Sequence, residues 1–231
     1  MRAGECLIWF VIVGISGLLS GCGDTGIGGD SKISLILVPE ETPPTLDGSI
    51  SPGEWEEAAI ESFADGSQLR LIQAGDYLYL GIIASSSERI AANIFIQRDD
   101  LVTILHSSAA LGTAVYRQDI DEWQKIQDFN WCCRSTGTSE SAQAERVEFL
   151  QEEDWLAANG MMGTPNEMEY QIKIPEQDFR LAAVYIKAAP PYEKIPWPTG
   201  LADDCIQPAS GGLPEELHFS PEQWARLERT K

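Results

Sequence analysis

With 231 residues, 43% of them hydrophobic, the chain can bury one sizeable core and is too apolar to be disordered throughout. Its formal net charge of −20, from 36 acidic against 16 basic residues, repels phosphate backbones and anionic headgroups, which excludes a nucleic-acid partner. The acidic excess suits a bound cation, but it is also what an ordinary solvated exterior looks like.

The first element in chain order is an address. Residues 6–19, CLIWFVIVGISGLL, form a continuous apolar run after Arg2. The run is shorter than the ~20 residues a membrane span needs and fits the apolar core of a signal peptide. Glu5 departs from the usual positive start. The run ends in LSGC (residues 19–22), an apolar residue, two small residues and a cysteine, which resembles the bacterial lipobox. That resemblance implies a signal peptide over residues 1–21 and a diacylglycerol on Cys22. The bilayer is then a partner through this lipid, and the address is the cell envelope, at the outer membrane, on a face the sequence does not specify. An uncleaved anchor helix is the other reading. Residues 22–32 are Gly-rich and polar and read as a flexible tether. Their glycines lack the Lys-Ser/Thr ending and the preceding strand of a phosphate loop.

Residues 33–231 read as one domain rich in short strands. Period-two or β-rich runs occur at 32–38, 68–75, 76–85, 92–97, 101–107, 112–118, 167–175 and 180–188. Gly75-Asp76 is a turn pair that makes the second and third of these a hairpin. In EMEYQIKIP, Met168, Tyr170, Ile172 and Ile174 alternate with Glu169, Gln171 and Lys173. Roughly nine short strands with turn signals between them predict an all-β fold, an antiparallel β-sandwich with short peripheral helices. Three helices are expected. In LDGSISPGEWEEAAI (residues 46–60), Asp47-Gly48 is a turn pair, Ser51 an N-cap, Pro52 a first helical residue and Glu54 the far side of a capping box. Trp55, Ala58 and Ala59 then share one helical face, and the buried indole would close an open end of the sandwich. EEDWLAANG (152–160) reads as a short helix ended by glycine, and SPEQWARLER (220–229) as a helix capped by Ser220 with Pro221 at its first position. The Pro-rich residues 189–200 read as a wrapping loop.

These landmarks, taken together, resemble the carbohydrate-binding module family 9-like domain. The resemblance rests on LDGSISPGEWEEA, then GDYLYLGIIA with Asp76, Tyr77, Leu78 and Tyr79, then IFIQRDD, EMEYQIKIP, VYIKAAPPYEKIPWP and SPEQWARL, in that order over residues 44–228. Gln97 stands where an acid is common. The resemblance implies a β-sandwich that in some members holds sugar chains between aromatic rings, with structural calcium nearby. Fold is implied more directly than activity.

Sugar binding needs flat aromatic faces for C–H surfaces and polar groups for hydroxyls. Trp55, Trp197 and Trp224 sit in the fold-defining motifs and read as core. Trp123, Trp131 and Trp155 lie in a more polar region and are the platform candidates, with Asn130, Arg134 and Gln124 as polar partners. Burial of each of the three is the competing reading. Calcium would need a cluster of oxygen ligands, for which Asp119, Asp121 and Asp128, or Asp203 and Asp204, are available, although no EF-hand loop is present. Catalysis is not expected. The sequence has two histidines, His106 and His218, with no nucleophile elbow and no His pair at metal spacing. His106 reads as structural. A related sandwich family binds haem through Met or His, which keeps Met161, Met162 and His106 as an alternative. In an oxidising compartment one of Cys132 and Cys133 is expected to bridge Cys205, which the chain-entropy model values at about 4 kcal/mol. A vicinal disulfide and a thiolate metal site are the alternatives.

The expected function is therefore non-catalytic binding of a glycan or another envelope component. The competing expectation is a scaffold that binds a protein partner and no sugar. An exposed coplanar pair of aromatic rings in one concavity would favour the first; a smooth surface with all six tryptophans of the mature chain buried would favour the second.

Overall fold

The computed structural model describes residues 35–132, 139–174, 179–201 and 212–229. The leader, the tether, Cys22, Cys133, Arg134, Asp203, Asp204 and Cys205 lie outside the described residues, as does the expected bridge to Cys205.

The alternating runs become the strands of two stacked sheets. The smaller sheet is antiparallel and contains β2 (Ala59–Ser62), β3 (Gln68–Ala74), β4 (Tyr77–Ile83), β9 (Trp155–Asn159) and β10 (Glu167–Lys173), in the order β2-β3-β4-β10-β9. The larger sheet contains β1 (Leu35–Val38), β5 (Ile90–Arg98), β6 (Leu101–Ser107), β7 (Leu111–Asp119), β8 (Glu122–Cys132), β11 (Phe179–Lys187), β12 (Lys194–Trp197), β13 (Glu216–Leu217) and β14 (Ala225–Arg229). Its order is β1-β14-β11-β5-β6-β7-β8-β13, with β12 also pairing with β11. Every pair is antiparallel except β1 with β14. The expected antiparallel β-sandwich is the fold observed.

Period-two side-chain direction decides what each face buries. Met168, Tyr170 and Ile172 of β10 meet Leu181, Ala183 and Tyr185 of β11 in the core between the sheets. The intervening residues of β11, Ala182, Val184 and Ile186, point the other way into a second core on the outer face of the larger sheet. Phe219 and Trp224, from the segment after residue 212, cover that face. This double burial explains why RLAAVYIK is apolar almost throughout instead of alternating.

The segment around Trp55 covers the outer face of the smaller sheet against Ile72 and Tyr79. Its tryptophan is fully buried, as expected, but two expectations are corrected. Residues 51–57 form successive turns rather than a helix, with the N–H of Glu54 donating to Ser51 O at 3.3 Å and that of Ala58 to Trp55 O at 3.4 Å. The indole also lies on a sheet face and does not close an end. A positive-φ glycine explains the first and a buried acid the second. The N–H of Asp47 (3.0 Å), the N–H of Gly48 (2.8 Å) and the Trp55 indole N–H (3.2 Å) all donate to the Glu169 carboxyl. Gly53, at φ +93°, turns the backbone out of the helical region two residues after Ser51, and the carboxyl holds the indole against β10. Gly48 has φ +87°, and a Cβ there would lie 2.4 Å from Asn159 O, so the turn requires glycine.

Two further helix expectations are corrected. Residues 155–159 form strand β9, fully buried and paired with β10, because a WLAAN run buried on all sides gains more from the sheet than from one helical turn. The helix lies just before it, as α1 (Glu140–Glu153), capped by Ser139 Oγ accepting from Ala142 N and ended by Asp154 at φ 61°. Ser220 and Pro221 start only a short 3₁₀ turn over Pro221–Gln223, after which the chain extends into β14.

Candidate functional site

The strand register lines up one row of residues across the outer face of the larger sheet. Val184 pairs with Asn93, Asn93 with His106, His106 with Gly112 and Gly112 with Trp131. Gly112 has no side chain, so the Trp131 indole folds back over β7. A Cβ at Gly112 would lie 2.8 Å from Trp131 Cε3 and 3.1 Å from Phe129 Cδ1. Phe129, two residues earlier on the same strand face, braces the indole with centroids 4.6 Å apart and planes tilted by 36°. The His106 ring makes edge-to-face contacts with both, its centroid 5.2 Å from that of Trp131 and 5.6 Å from that of Phe129. Trp131 keeps 49% of its surface exposed, a large value for an indole held on three sides.

This row forms one end of an open cleft of about 710 Å³. Asn93, Phe95, Ile104 and His106 make its floor, and Asp128, Phe129 and Trp131 one wall. Lys187, Ala188 and Tyr192 stand at the end of β11 and in the loop after it, and Leu213 and Leu217 come from the C-terminal segment. Tyr192 is 58% exposed.

The two charged side chains of the cleft lining are neutralised within the protein. Asp128 accepts from Lys125 Nζ at 3.3 Å and from its neighbour's backbone, Phe129 N, at 2.8 Å. Lys187 is paired with Glu193. His106 Nδ1 lies 2.6 Å from Asn93 Oδ1, so Nδ1 carries the proton and Nε2 the lone pair. Burial pushes the imidazole pKa down to about 4, and the ring is neutral at ordinary pH.

The structure separates the residues the sequence grouped. Trp131 is on the cleft wall. Trp123 is 2% exposed in the second core, its indole N–H donating to Phe219 O at 3.2 Å. Trp155 is 1% exposed, stacks on Tyr170 at 5.9 Å and donates to Thr113 Oγ1 at 2.8 Å. Neither offers a ring face to a ligand, which corrects both as platforms. Asn130 points to the opposite face from Trp131, where it donates to Glu153 Oε1 of α1 at 3.0 Å, so it is corrected as a cleft partner. Gln124 donates to Glu216 at the edge of the sheet. Asp119, Asp121 and Asp128 do not converge either. Asp119 pairs with Glu122 at the hairpin end, and Asp128 lies six positions further along β8, ~20 Å at a strand's rise. Among the described residues no group of three His, Cys, Asp or Glu side chains is placed to hold a metal. Met161, 47% exposed, follows β9 of the smaller sheet and is not among the residues that line the cleft. Phe129, Asn93, Lys187 and Tyr192 were missed. Phe129 and Trp131, two apart in one strand, were the signal available.

No protein-family model matches the chain, and no curated protein matches it. Solved structures do. One is a carbohydrate-binding module of family 9 from Caldicellulosiruptor kristjanssonii in complex with cellotriose, at 11% identity and a TM-score of 0.45, covering 85% of this chain and 93% of that one. Another is a candidate carbohydrate-binding protein from Bacteroides uniformis, at 10% identity and a TM-score of 0.48, covering 85% of this chain and 99% of that one. The fold is similar to that of a family 9 module. The likeness is one of architecture, and the cleft is built from this chain's own residues.

Proposed function

We propose that this chain is a non-catalytic glycan-binding domain, held at the cell envelope by a lipid on Cys22. The observation that carries the binding reading is the half-exposed Trp131 ring, fixed by Phe129 and Gly112 at the end of a cleft with polar groups on its floor. A sugar ring offers flat C–H faces to an aromatic platform and hydroxyls to hydrogen-bonding groups beside it. A rigid platform loses little entropy on binding. Trp131 is half exposed, so the surface is not the one with every tryptophan buried that a scaffold role would have. The anchor rests on the LSGC motif.

The test uses the full chain purified in detergent and screened on an array of neutral and acidic glycans. Wild type should retain a glycan, and Trp131→Ala should lose it while keeping the wild-type melting temperature. Absence of any glycan ligand would overturn the binding reading. For the anchor, Cys22→Ser should abolish incorporation of a labelled fatty acid in the cell, and unchanged labelling would count against it.

A further inference from the structure

We infer that His106 and Asn93 act as a paired acceptor and donor on the cleft floor, reading two neighbouring hydroxyls of the sugar stacked on Trp131 and so selecting which glycan the platform holds. The inference rests on the glycan reading and assigns its specificity-determining residues.

The geometry of the pair leads to it. The two side chains come from adjacent antiparallel strands at the same register position and on the same face. Their mutual bond, His106 Nδ1 to Asn93 Oδ1 at 2.6 Å, uses one polar atom of each. What remains is a lone pair on His106 Nε2 and the two protons of Asn93 Nδ2. Both residues line the cleft, and neither remaining nitrogen is among the buried side-chain atoms that lack a partner. The floor therefore presents an acceptor beside a donor. Adjacent sugar hydroxyls match that pattern, because one can donate to Nε2 while its neighbour accepts from Nδ2. The bond between the two side chains also pre-orients them, since rotation of either ring or amide would break it.

The pair has a fixed place relative to the platform. Strand spacing alone would put Trp131 two strands, ~10 Å, away from His106. Gly112 removes that separation by letting the indole lie across β7, and the ring centroids of His106 and Trp131 approach to 5.2 Å. A sugar ring resting on Trp131 then has its edge beside the pair. The other charged or titratable groups lining the cleft are Asp128 from β8, Lys187 from the end of β11 and Tyr192 from the following loop. The first two are already ion-paired within the protein. Neutral hydrogen-bonding groups are thus left to discriminate between ligands. A protonated His106 would lose the lone pair that accepts, so binding should fall at acid pH.

The experiment titrates the full chain in detergent with cello-, xylo- and manno-triose by calorimetry, with thermal melts as a folding control. His106→Phe keeps an aromatic ring and removes both nitrogens. Asn93→Asp keeps the acceptor for Nδ1 and removes the donor. Each should weaken the best trisaccharide by about tenfold or more and flatten the preference among the three, at an unchanged melting temperature. Wild-type affinity should be constant above about pH 6 and fall toward about pH 4, a profile His106→Phe should not show. Wild-type affinity and preference in both variants, beside a Trp131→Ala protein that no longer binds, would overturn this inference alone. Binding by Trp131→Ala equal to wild type, or no binding of any trisaccharide by wild type, would overturn the glycan reading and this inference with it. If His106→Phe fails to fold, a wild-type affinity unchanged between pH 7 and about pH 3, a unit below the imidazole's value, overturns the inference.

Discussion

At the scale of single residues, the site depends on an absence as much as on any side chain. Gly112 has no Cβ, and the space this leaves holds the face of Trp131. Valine at this position would suit the strand backbone by propensity, yet its Cβ alone would lie 2.8 Å from Cε3 of the indole. Half of the indole surface faces solvent, so the ring can swing outward instead of forcing the sheet apart. Gly112→Val should therefore change stability by less than about 1 kcal/mol while weakening glycan binding by roughly tenfold, because the platform leaves the polar pair. Melting curves beside titrations check this. A variant that bound as wild type would show that the position of the indole over Gly112 is irrelevant to the ligand.

Among the elements, β10 carries the clearest division of labour. Its even-numbered residues fill the core between the sheets, while Glu169 turns to the other face and binds the loop around Trp55. Burial pushes the Glu169 carboxyl up to about 7 against the pull of the Gly48, Trp55 and Asp47 N–H groups. The ordinary value is 4.5. A folded-state acid raised in this way holds its proton more tightly than the unfolded chain does. Its contribution is complete below about pH 4.5 and is lost as pH rises through 7, about 3 kcal/mol in all. Wild type should thus need less urea to unfold at pH 8 than at pH 5. Glu169→Gln cannot ionise and should remove that part of the difference, although its amide protons facing N–H donors should cost about 1–3 kcal/mol at pH 5. Equal pH dependence in the two proteins would refute the assignment. The alternation of EMEYQIK was legible in the sequence; that its polar side is also buried was not, because the cover comes from residues about 120 positions earlier. Other elements were hidden for related reasons. Helix α1 buries only Ala142 and Phe149, so it leaves no apolar stripe to read, and Trp155 then drew the expected helix onto what is a buried strand. Strand β8 is mostly exposed and its register against β7 shifts at Thr113 and Val115, which hides its period. Trp131 was legible as a candidate because it stands among polar residues. Its expected partner Asn130 fails on parity alone, one residue away and on the other face. Asn93 and His106 are 13 apart, and only the hairpin register set by the turn after Arg98 brings them together.

For the molecule as a whole, the final residues of the described chain bind the fold together. β14 sits inside the larger sheet, between β1 and β11, so the chain's first and last described strands are neighbours. The segment before it lies over the outer face, held by Tyr116 OH donating to Pro214 O (2.6 Å), Lys125 Nζ to Leu213 O (2.8 Å) and Arg180 to Pro221 O (2.8 Å). At its centre Phe219 touches the rings of Phe95, Tyr116, Trp123 and Trp224, with centroids 5.6 to 6.1 Å away. This segment also supplies Leu213 and Leu217 to the cleft, so stability and binding share one cover. Phe219→Ala should cost about 3–5 kcal/mol, the range for removing a buried aromatic ring and leaving a cavity. Because the cover then loosens over the cleft, glycan affinity should fall in the same variant, unlike Trp131→Ala, where affinity falls alone. Urea unfolding and calorimetric titration of the two proteins side by side separate the effects. A Phe219→Ala protein destabilised by less than about 1 kcal/mol would mean that the outer face of the larger sheet does not depend on this cover.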